Sequence, residues 1–289
     1  MSIMASMRDI KRRKSSIQST QQITKAMKLV STVKLQRARN KAETSKPYFS
    51  CMYDTVTQTL ARCGNINHPY INKTEGGKKA IILISSNRGL AGGYNSNVAK
   101  LITRGDFHTE DVQMITIGKK GRDAVAKAGF TVKADYSDVI EEPTYADAME
   151  ISRVLLESFA AGDISEIYVA YTAFKNTVVH EPTLVKLLPI EADQIEKKEE
   201  TTVSAPMEFE PEEEEAIDMI VPKYITSLIY GAMVEAVASE NGARMQAMDN
   251  ATSNAEEMIS SLSLLYNRAR QGSITQELTE IIAGASAIS

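Results

Sequence analysis

Apolar residues recur at alternating steps of three and four along the last third of the chain, a pattern typical of a helix that pairs with another helix. The stripe is thin, because alanine and glycine occupy several of its positions, and a partner backbone could approach closely. We therefore predict one strand of a two-helix coiled coil. Its members are Met248, Ala251, Ala255, Met258, Leu262, Leu265, Ala269 and Gly272.

The same helix is predicted to begin at Pro211, which is followed by four glutamates. Proline at a first helical position and carboxylates in a first turn both favour a helix start. No comparable stop signal follows before Ser286. At about 1.5 Å per residue, such a helix is roughly 110 Å long, which exceeds the diameter of about 50 Å expected for a compact chain of this size. The sequence therefore predicts a helix that protrudes as a rod.

A second apolar stripe lies near the N-terminus and predicts a helix over residues 3–62. A cluster of turn-forming residues, from Gly64 to Pro69, ends this prediction. The stripe consists of Ile10, Ile17, Ile23, Met27, Val30 and Val33.

Between the two helices the pattern changes to strands that alternate with helices, which indicates an α/β domain with a sheet of about five strands. The last strand is expected to be antiparallel. The predicted strands are Ala80–Ser85, Gln113–Ile117, Ile164–Tyr171 and Pro182–Ile190. The predicted helices are Asn95–Thr103, Gly121–Ala128 and Tyr145–Ala160.

Four segments follow from these patterns: an N-terminal coiled-coil helix (1–62), a Rossmann-like α/β domain (63–195), an acidic linker (196–210) and a C-terminal coiled-coil helix (211–289). The α/β domain is inserted between the helices, so we expect the helices to pair antiparallel. The second helix is longer, and its end should extend beyond the first as a single helix. That tip is apolar and requires an external sleeve. It contains Ile274, Leu278, Ile281 and Ile282.

The net charge of -4 conceals a strong asymmetry between the ends of the chain. Residues 8–46 contain twelve basic and two acidic residues, whereas the chain from Pro211 onward contains twelve acids and four basic residues. The two predicted helices are therefore electrostatically complementary. A basic coiled-coil protein that binds nucleic acid remains an alternative, although a DNA-reading basic helix normally continues into its own zipper.

The sequence favours a reducing compartment and offers no evident membrane segment. Cys51 and Cys63 are the only cysteines and lack metal-ligand spacing. The longest apolar run, Ala80–Ile84, is too short to cross a bilayer, and the first seven residues do not resemble a signal peptide. We expect a cytoplasmic protein.

The best candidate for catalytic chemistry is the glycine-rich loop from Arg88 to Asn95, which follows a strand and opens a helix. It lacks the spacing of a dinucleotide loop, and the second strand ends in Gly118-Lys119-Lys120 instead of an acid. The three histidines are scattered. We therefore expect no cofactor and no metal, with a cofactor-dependent enzyme on the α/β domain as the other alternative.

Two terminal segments carry a family resemblance. Ile10–Arg13 and Gln22–Ser31 at one end, and Ala243–Ala251 and Ile274–Ala285 at the other, resemble the gamma subunit of F-type ATP synthases. The loop from Ser86 to Asn97 resembles it as well, so the likeness covers essentially the whole chain.

The resemblance implies a non-catalytic rotor: an antiparallel coiled coil inside three alpha and three beta subunits, which couples ion flow to ATP synthesis or hydrolysis. It implies docking of the epsilon subunit and the c-ring on the α/β domain, possible contact with delta, and no nucleic acid or direct membrane insertion. It places the protein peripherally on the cytoplasmic face of a bacterial plasma membrane.

The resemblance also implies particular contacts with the beta subunits. These contact residues are Lys25, Met27, Lys28, Arg270, Gln271 and Thr275. The apolar tip residues Ile274, Leu278, Ile281 and Ile282 would turn within the sleeve as a bearing.

Overall fold

The computed structural model describes residues 7–62, 68–71, 76–190 and 213–288. The chain divides into two compact units. The helix-pair unit combines residues 1–31 with 245–289, and the α/β unit comprises residues 32–244.

Two long helices enclose the other elements in sequence order. The predicted α/β fold with a long two-helix coiled coil is confirmed, although Pro211 and the linker 196–210 lie outside the described residues. The helices are α1 (Met7–Arg62), α2 (Tyr94–Thr103), α3 (Lys119–Lys127), α4 (Tyr145–Ala160) and α5 (Glu213–Ile288). The strands are β1 (Lys78–Ile84), β2 (Val112–Ile117), β3 (Thr131–Asp135), β4 (Ile164–Phe174) and β5 (His180–Leu188), with a short 3-10 helix at Ser137–Val139.

The sheet of the α/β unit has five strands in the order β3-β2-β1-β4-β5. The first four strands run parallel, and β5 pairs antiparallel with β4, as predicted. The strand β3 was not identified from the sequence. It lies at the sheet edge, and its exposed positions alternate with half-buried ones, so it lacks the apolar run of a central strand.

The core of the α/β unit lies on both faces of β1. Ile82 and Ile84 pack on the side of α4 and α5, whereas Ile81 and Leu83 pack on the side of α2. All four side chains are fully buried. A central parallel strand is covered on both faces, which explains why β1 is a continuous apolar run and not an alternating one.

The two long helices run antiparallel within each unit. In the α/β unit, the ring of Tyr53 lies 6.4 Å from that of Tyr224, and the ring of Phe49 lies 6.0 Å from that of Tyr230. Residues later in α1 therefore pair with residues earlier in α5.

In the helix-pair unit, three side-chain contacts join α1 to α5 with the same antiparallel sense. Gln21 Nε2 donates to Glu256 at 3.0 Å, the hydroxyls of Thr24 and Thr252 lie 2.8 Å apart, and Lys28 Nζ contacts Asp249 at 2.6 Å.

The predicted stripe of α1 was wrong at three positions. Ile23, Val30 and Val33 are 60%, 58% and 54% exposed, whereas Thr24 and Ser31 are buried. The seam that faces α5 begins at Ile10 and includes the small polar side chains of Thr24 and Ser31, whereas Ile23, Val30 and Val33 lie on the outer surface.

The predicted stripe of α5 was correct at Met248 and Ala255, which are buried, and wrong at Met258 and Leu265, which are 52% and 50% exposed. Gly272 is exposed, and no atom lies within 4 Å of the position of a Cβ there. Leu262 and Ala269 of the predicted stripe are half-buried, and Ile259 and Tyr266 are half-buried at this end of the seam as well.

Candidate functional site: the outer surface of the helix pair

Three large apolar side chains of α1 are exposed among the basic and polar residues of the outer surface of the helix-pair unit. Ile23, Leu29 and Val30 are 60%, 64% and 58% exposed. Ile23 and Val30 share a face of the helix because they are seven residues apart, whereas Leu29 lies about 100° around the axis from Val30. Isolated exposed apolar residues are ordinary, but a contiguous group of large ones marks a surface for another protein.

The three predicted contact residues on α1 lie in different environments. Lys25 is exposed and Met27 is half-buried. Lys28 is also half-buried, and its Nζ forms an ion pair with Asp249 across the seam. Within this chain, Lys28 therefore stabilises the pairing of the two helices.

The three predicted contact residues on α5 lie where the seam ends. Ala269 is half-buried, whereas Arg270, Gln271 and Thr275 are exposed. The Thr275 hydroxyl donates to the Gln271 carbonyl at 2.9 Å, a bond within the helix that leaves the Gln271 side-chain amide uninvolved. Arg270 and Gln271 thus present a cation and a neutral amide at adjacent positions.

The predicted bearing tip is exposed throughout. Every described residue from 270 to 285 is exposed on α5. The described residues of the chain leave the tip's four large apolar side chains uncovered. These are Ile274 (49% exposed), Leu278 (55%), Ile281 (67%) and Ile282 (65%).

One stretch within Glu215–Ala285 of α5 is long and apolar enough to cross a membrane by length and composition. Half of that stretch is buried inside the protein, as in the core helix of a globular fold.

The backbone amides beside the glycine-rich loop of the α/β unit are already bonded to side chains of the same unit. Parallel α/β sheets bind nucleotides where the strand order reverses, here beside the end of β1, and helix N-termini supply the phosphate-binding amides. The first-turn amides of α3 are already bonded. Lys119 N–H donates to Asn87 Oδ1 at 3.0 Å, and Gly121 N–H donates to Ser85 Oγ at 2.8 Å.

The helix α5 also lies against this loop within the α/β unit. The Tyr94 hydroxyl donates to the Ala236 carbonyl at 3.1 Å, and Arg244 donates to Glu240 at 2.6 Å and to the Gly89 carbonyl at 3.4 Å. Burial, and secondarily the charge of Glu240, raise the pKa of the Tyr94 hydroxyl well above its ordinary value. The crevice of a nucleotide-binding fold is thus packed with protein.

Among the described residues, no three His, Cys, Asp or Glu side chains are grouped as metal ligands. The strongest acidic network is around Asp135. Burial alone would raise the pKa of this carboxyl, but hydrogen bonds from Ser137, Thr116 and Arg122 outweigh it and lower the pKa below its ordinary value. This network joins the ends of β2 and β3 and is fully bonded.

The sequence analysis missed the polar seam residues of α1. Thr24 and Ser31 are buried, and the Thr24 hydroxyl contacts that of Thr252. A signal was available, because Ile10, Ile17, Thr24 and Ser31 recur every seven residues, the repeat of a coiled coil. Counting only large apolar residues selected the outer face instead.

Comparison with known proteins identifies the family to which the chain belongs. The ATP synthase family model matches residues 6–288. The ATP synthase gamma chain of Lachnoclostridium phytofermentans is 62% identical over 290 residues, which cover 99% of this chain and 100% of the relative. The sodium ion specific gamma chain of Acetobacterium woodii is 39% identical, covering 97% and 98%.

Solved structures show the same fold at lower identity. A chain of the Euglena gracilis mitochondrial ATP synthase (OSCP/F1/c-ring, rotational state 3) has a TM-score of 0.68 at 19% identity and covers 98% of this chain and 94% of its own length. A chain from the Tetrahymena thermophila mitochondrial ATP synthase central stalk and c-ring has a TM-score of 0.58 at 22% identity, covering 79% and 99%.

The resemblance inferred from the terminal motifs is confirmed, and with it the prediction of a non-catalytic central-stalk subunit. The alternatives of a cofactor-dependent enzyme and a nucleic-acid-binding coiled coil were wrong. The chain belongs to the gamma-chain family of the ATP synthases.

Proposed function

We propose that the outer surface of the helix pair is the rotor surface that turns inside a sleeve of three alpha and three beta subunits. The epsilon subunit and the c-ring would bind the α/β unit, the delta subunit would belong to the same complex, and the assembly would lie peripherally on the cytoplasmic face of the bacterial membrane. The four-segment division, with boundaries at residues 62, 195 and 210, belongs to the same proposal.

The observation that carries this proposal is that the helix pair leaves several large apolar side chains exposed while two small polar side chains are buried in its seam. Its seam contains Thr24 and Ser31, while Leu29 and Val30 are on the outside. An isolated coiled coil places its large apolar residues in the seam, because their burial supplies most of the pairing energy. An outward apolar surface is explained if a second protein encloses it.

The surface can be tested at the tip of α5 with the full chain. Leu278→Asp introduces a charge where a sleeve would enclose an apolar side chain, whereas Thr279→Asp introduces the same charge at an adjacent exposed position outside the proposed bearing. We expect Leu278→Asp to lower recovery of alpha and beta subunits with affinity-tagged chain from native membranes, and Thr279→Asp to lower it less. Equal recovery of the complex with both variants and the parent would reject the bearing surface.

Arg270 is the sharpest test among the proposed beta-subunit contacts. Inside a sleeve its planar guanidinium could bind a carboxylate with two hydrogen bonds, one catalytic subunit at a time, and Gln271 would add a neutral hydrogen bond. Arg270→Ala is expected to slow ATP turnover of the assembled complex more than it weakens assembly. Arg270→Lys keeps the charge and should be intermediate, and Gln271→Ala should have a smaller effect.

Arg268 supplies the control for this test, because it is exposed on the same helix two residues earlier. Arg268→Ala removes an equal charge outside the proposed contact and should leave turnover near the parent rate. If Arg270→Ala complexes assemble and run like the parent in both synthesis and hydrolysis, Arg270 only solvates the end of the helix.

A further inference from the structure

Within the α/β unit, α5 crosses the hairpin formed by β4 and β5 at a glycine. Gly242 faces the imidazole of His180, the first residue of β5. A Cβ at position 242 would lie closest to Nε2 of that ring and 3.2 and 3.4 Å from two of its carbons. Even a methyl group is therefore excluded from this contact unless the ring or the helix moves.

A second contact holds α5 to the other strand of the same hairpin. His180 pairs with Phe174 in the strand register, and their rings lie 5.9 Å apart. The Phe174 N–H donates to Glu235 of α5 at 3.4 Å. Glu235 and Gly242 are seven residues apart, about two helical turns, so both strands are contacted along one face of the helix.

The contact at Gly242 depends on fit and not on hydrogen bonds. The buried atoms Thr172 Oγ1, His180 Nε2 and Ser239 Oγ make no hydrogen bond within the described parts of the chain. Thr172 and His180 are diagonal neighbours across β4 and β5, and Ser239 precedes Gly242 by one turn of α5. Such a close-packed contact resists compression, because interiors at this density have no free volume into which a side chain can yield.

We propose that His180, seated on Gly242, is a positioning residue that keeps α5 fixed to the sheet while the helix carries torque. The inference rests on the proposed rotor function. The helix continues beyond Arg244 without interruption, so a twisting load on it reaches the sheet through contacts such as this one. If the contact between His180 and Gly242 is disturbed, α5 moves relative to the hairpin under load. Part of each rotation is then not transmitted, and fewer ions are transported for each ATP hydrolysed.

The test uses assembled complexes in inverted membrane vesicles with three variants: Gly242→Ala, His180→Ala and the double variant. For each, subunit composition, ATP hydrolysis and ATP-driven ion uptake are measured, with separate proton and sodium arms. We expect Gly242→Ala to assemble and hydrolyse ATP but to transport roughly half as many ions per ATP or fewer, because overpacking displaces the neighbouring strand. In the double variant the new methyl fills part of the space left by the ring, and the ratio should recover.

Gly231→Ala is the matched control on the same helix and in the same unit. A Cβ at Gly231 would meet Phe49 carbons at 3.5–3.8 Å, an ordinary packing distance. Gly231→Ala should leave the number of ions transported per ATP unchanged, which separates the effect of the contact between His180 and Gly242 from any effect of alanine on the helix. The inference is overturned if Gly242→Ala transports as many ions per ATP as Gly231→Ala, or if the double variant is no better than Gly242→Ala. Loss of alpha and beta subunits from the parent complex would instead reject the proposed function.

Discussion

The two units of the chain differ in how fully they bury their large apolar residues. The α/β unit buries Ile81 to Ile84 completely, whereas the helix-pair unit exposes Ile23 and Leu278 by 60% and 55%. In the α/β unit, residues of the same chain cover the apolar side chains of β1. In the helix-pair unit, the described residues of the chain leave the apolar side chains of Ile23 and Leu278 uncovered.

The largest expected effect separates the two units directly. Ile82→Ala should lower the free energy of unfolding of the purified chain by about 2 to 5 kcal/mol, because the fully buried side chain leaves a cavity. Leu278→Ala should change it by less than about 0.5 kcal/mol, because the side chain is exposed. Urea titration of both variants measures the difference. A comparable loss from Leu278→Ala would contradict the assignment of its apolar side chain to a partner.

The next effect concerns pH and belongs to the α/β unit. Burial lowers the pKa of His180 below its ordinary value of about 6.5. The unfolded chain therefore binds more protons than the folded chain as pH falls below about 6.5, and stability is lost down to the lowered folded pKa. Above that window the contribution is fully present. His180→Gln cannot titrate and should show a smaller loss of stability between about pH 7.5 and 6.

The groups around His180 set the limits of this measurement. Glu235 from α5 has a pKa raised by burial, so it favours the folded state on acidification towards its ordinary pKa, opposite to His180. The charged residues next in sequence form two ion pairs, Arg244 with Glu240 on α5 at 2.6 Å and Lys175 with Glu181 on the hairpin at 4.0 Å. Unfolding curves of parent and His180→Gln are therefore compared only above about pH 6. Parallel pH profiles would show that His180 does not contribute.

The comparison also explains which features the sequence could predict. The strand β1 was predicted because its apolar run reports burial within the same chain. The edge strand β3 was missed because an edge exposes alternate residues. In the helix pair, Ile23 and Val30 were assigned to the seam because hydrophobicity was taken to mean burial inside the chain. That inference fails where the covering surface belongs to another protein, although the seven-residue repeat of Thr24 and Ser31 still marks the seam.

A smaller effect tests the polar seam. The hydroxyls of Thr24 and Thr252 share a hydrogen bond of 2.8 Å. Thr24→Val should lower the free energy of unfolding by about 0.5 to 1.5 kcal/mol, since one partner of a partly buried hydrogen bond is lost. In Thr24→Val the Thr252 hydroxyl keeps the Met248 carbonyl of its own helix as a partner at 2.7 Å, so replacing both threonines by valine should regain only part of that loss. Additive losses in the double-mutant cycle would show that this contact does not join the helices.

The smallest effect is expected at the ion pair of Lys28 and Asp249. Their side chains are 39% and 54% exposed, so solvent screens the attraction despite the short distance of 2.6 Å. Exposed pairs contribute about 0.2 to 1 kcal/mol, and we expect Lys28→Ala to lower the free energy of unfolding within that range. The difference from the parent should shrink when salt is raised from about 0.1 M to about 1 M, where the screening length falls to about 3 Å.

Lys25, exposed on the same turn, is the control, and Lys25→Ala should change stability by less than about 0.5 kcal/mol. In the assembled complex the order should reverse if Lys25 contacts the beta subunits, because Lys28 is already paired within the chain. If the two substitutions had equal effects on the stability of the isolated chain and on turnover of the complex, Lys28 would not act mainly in the seam and Lys25 would not act mainly on the outer surface.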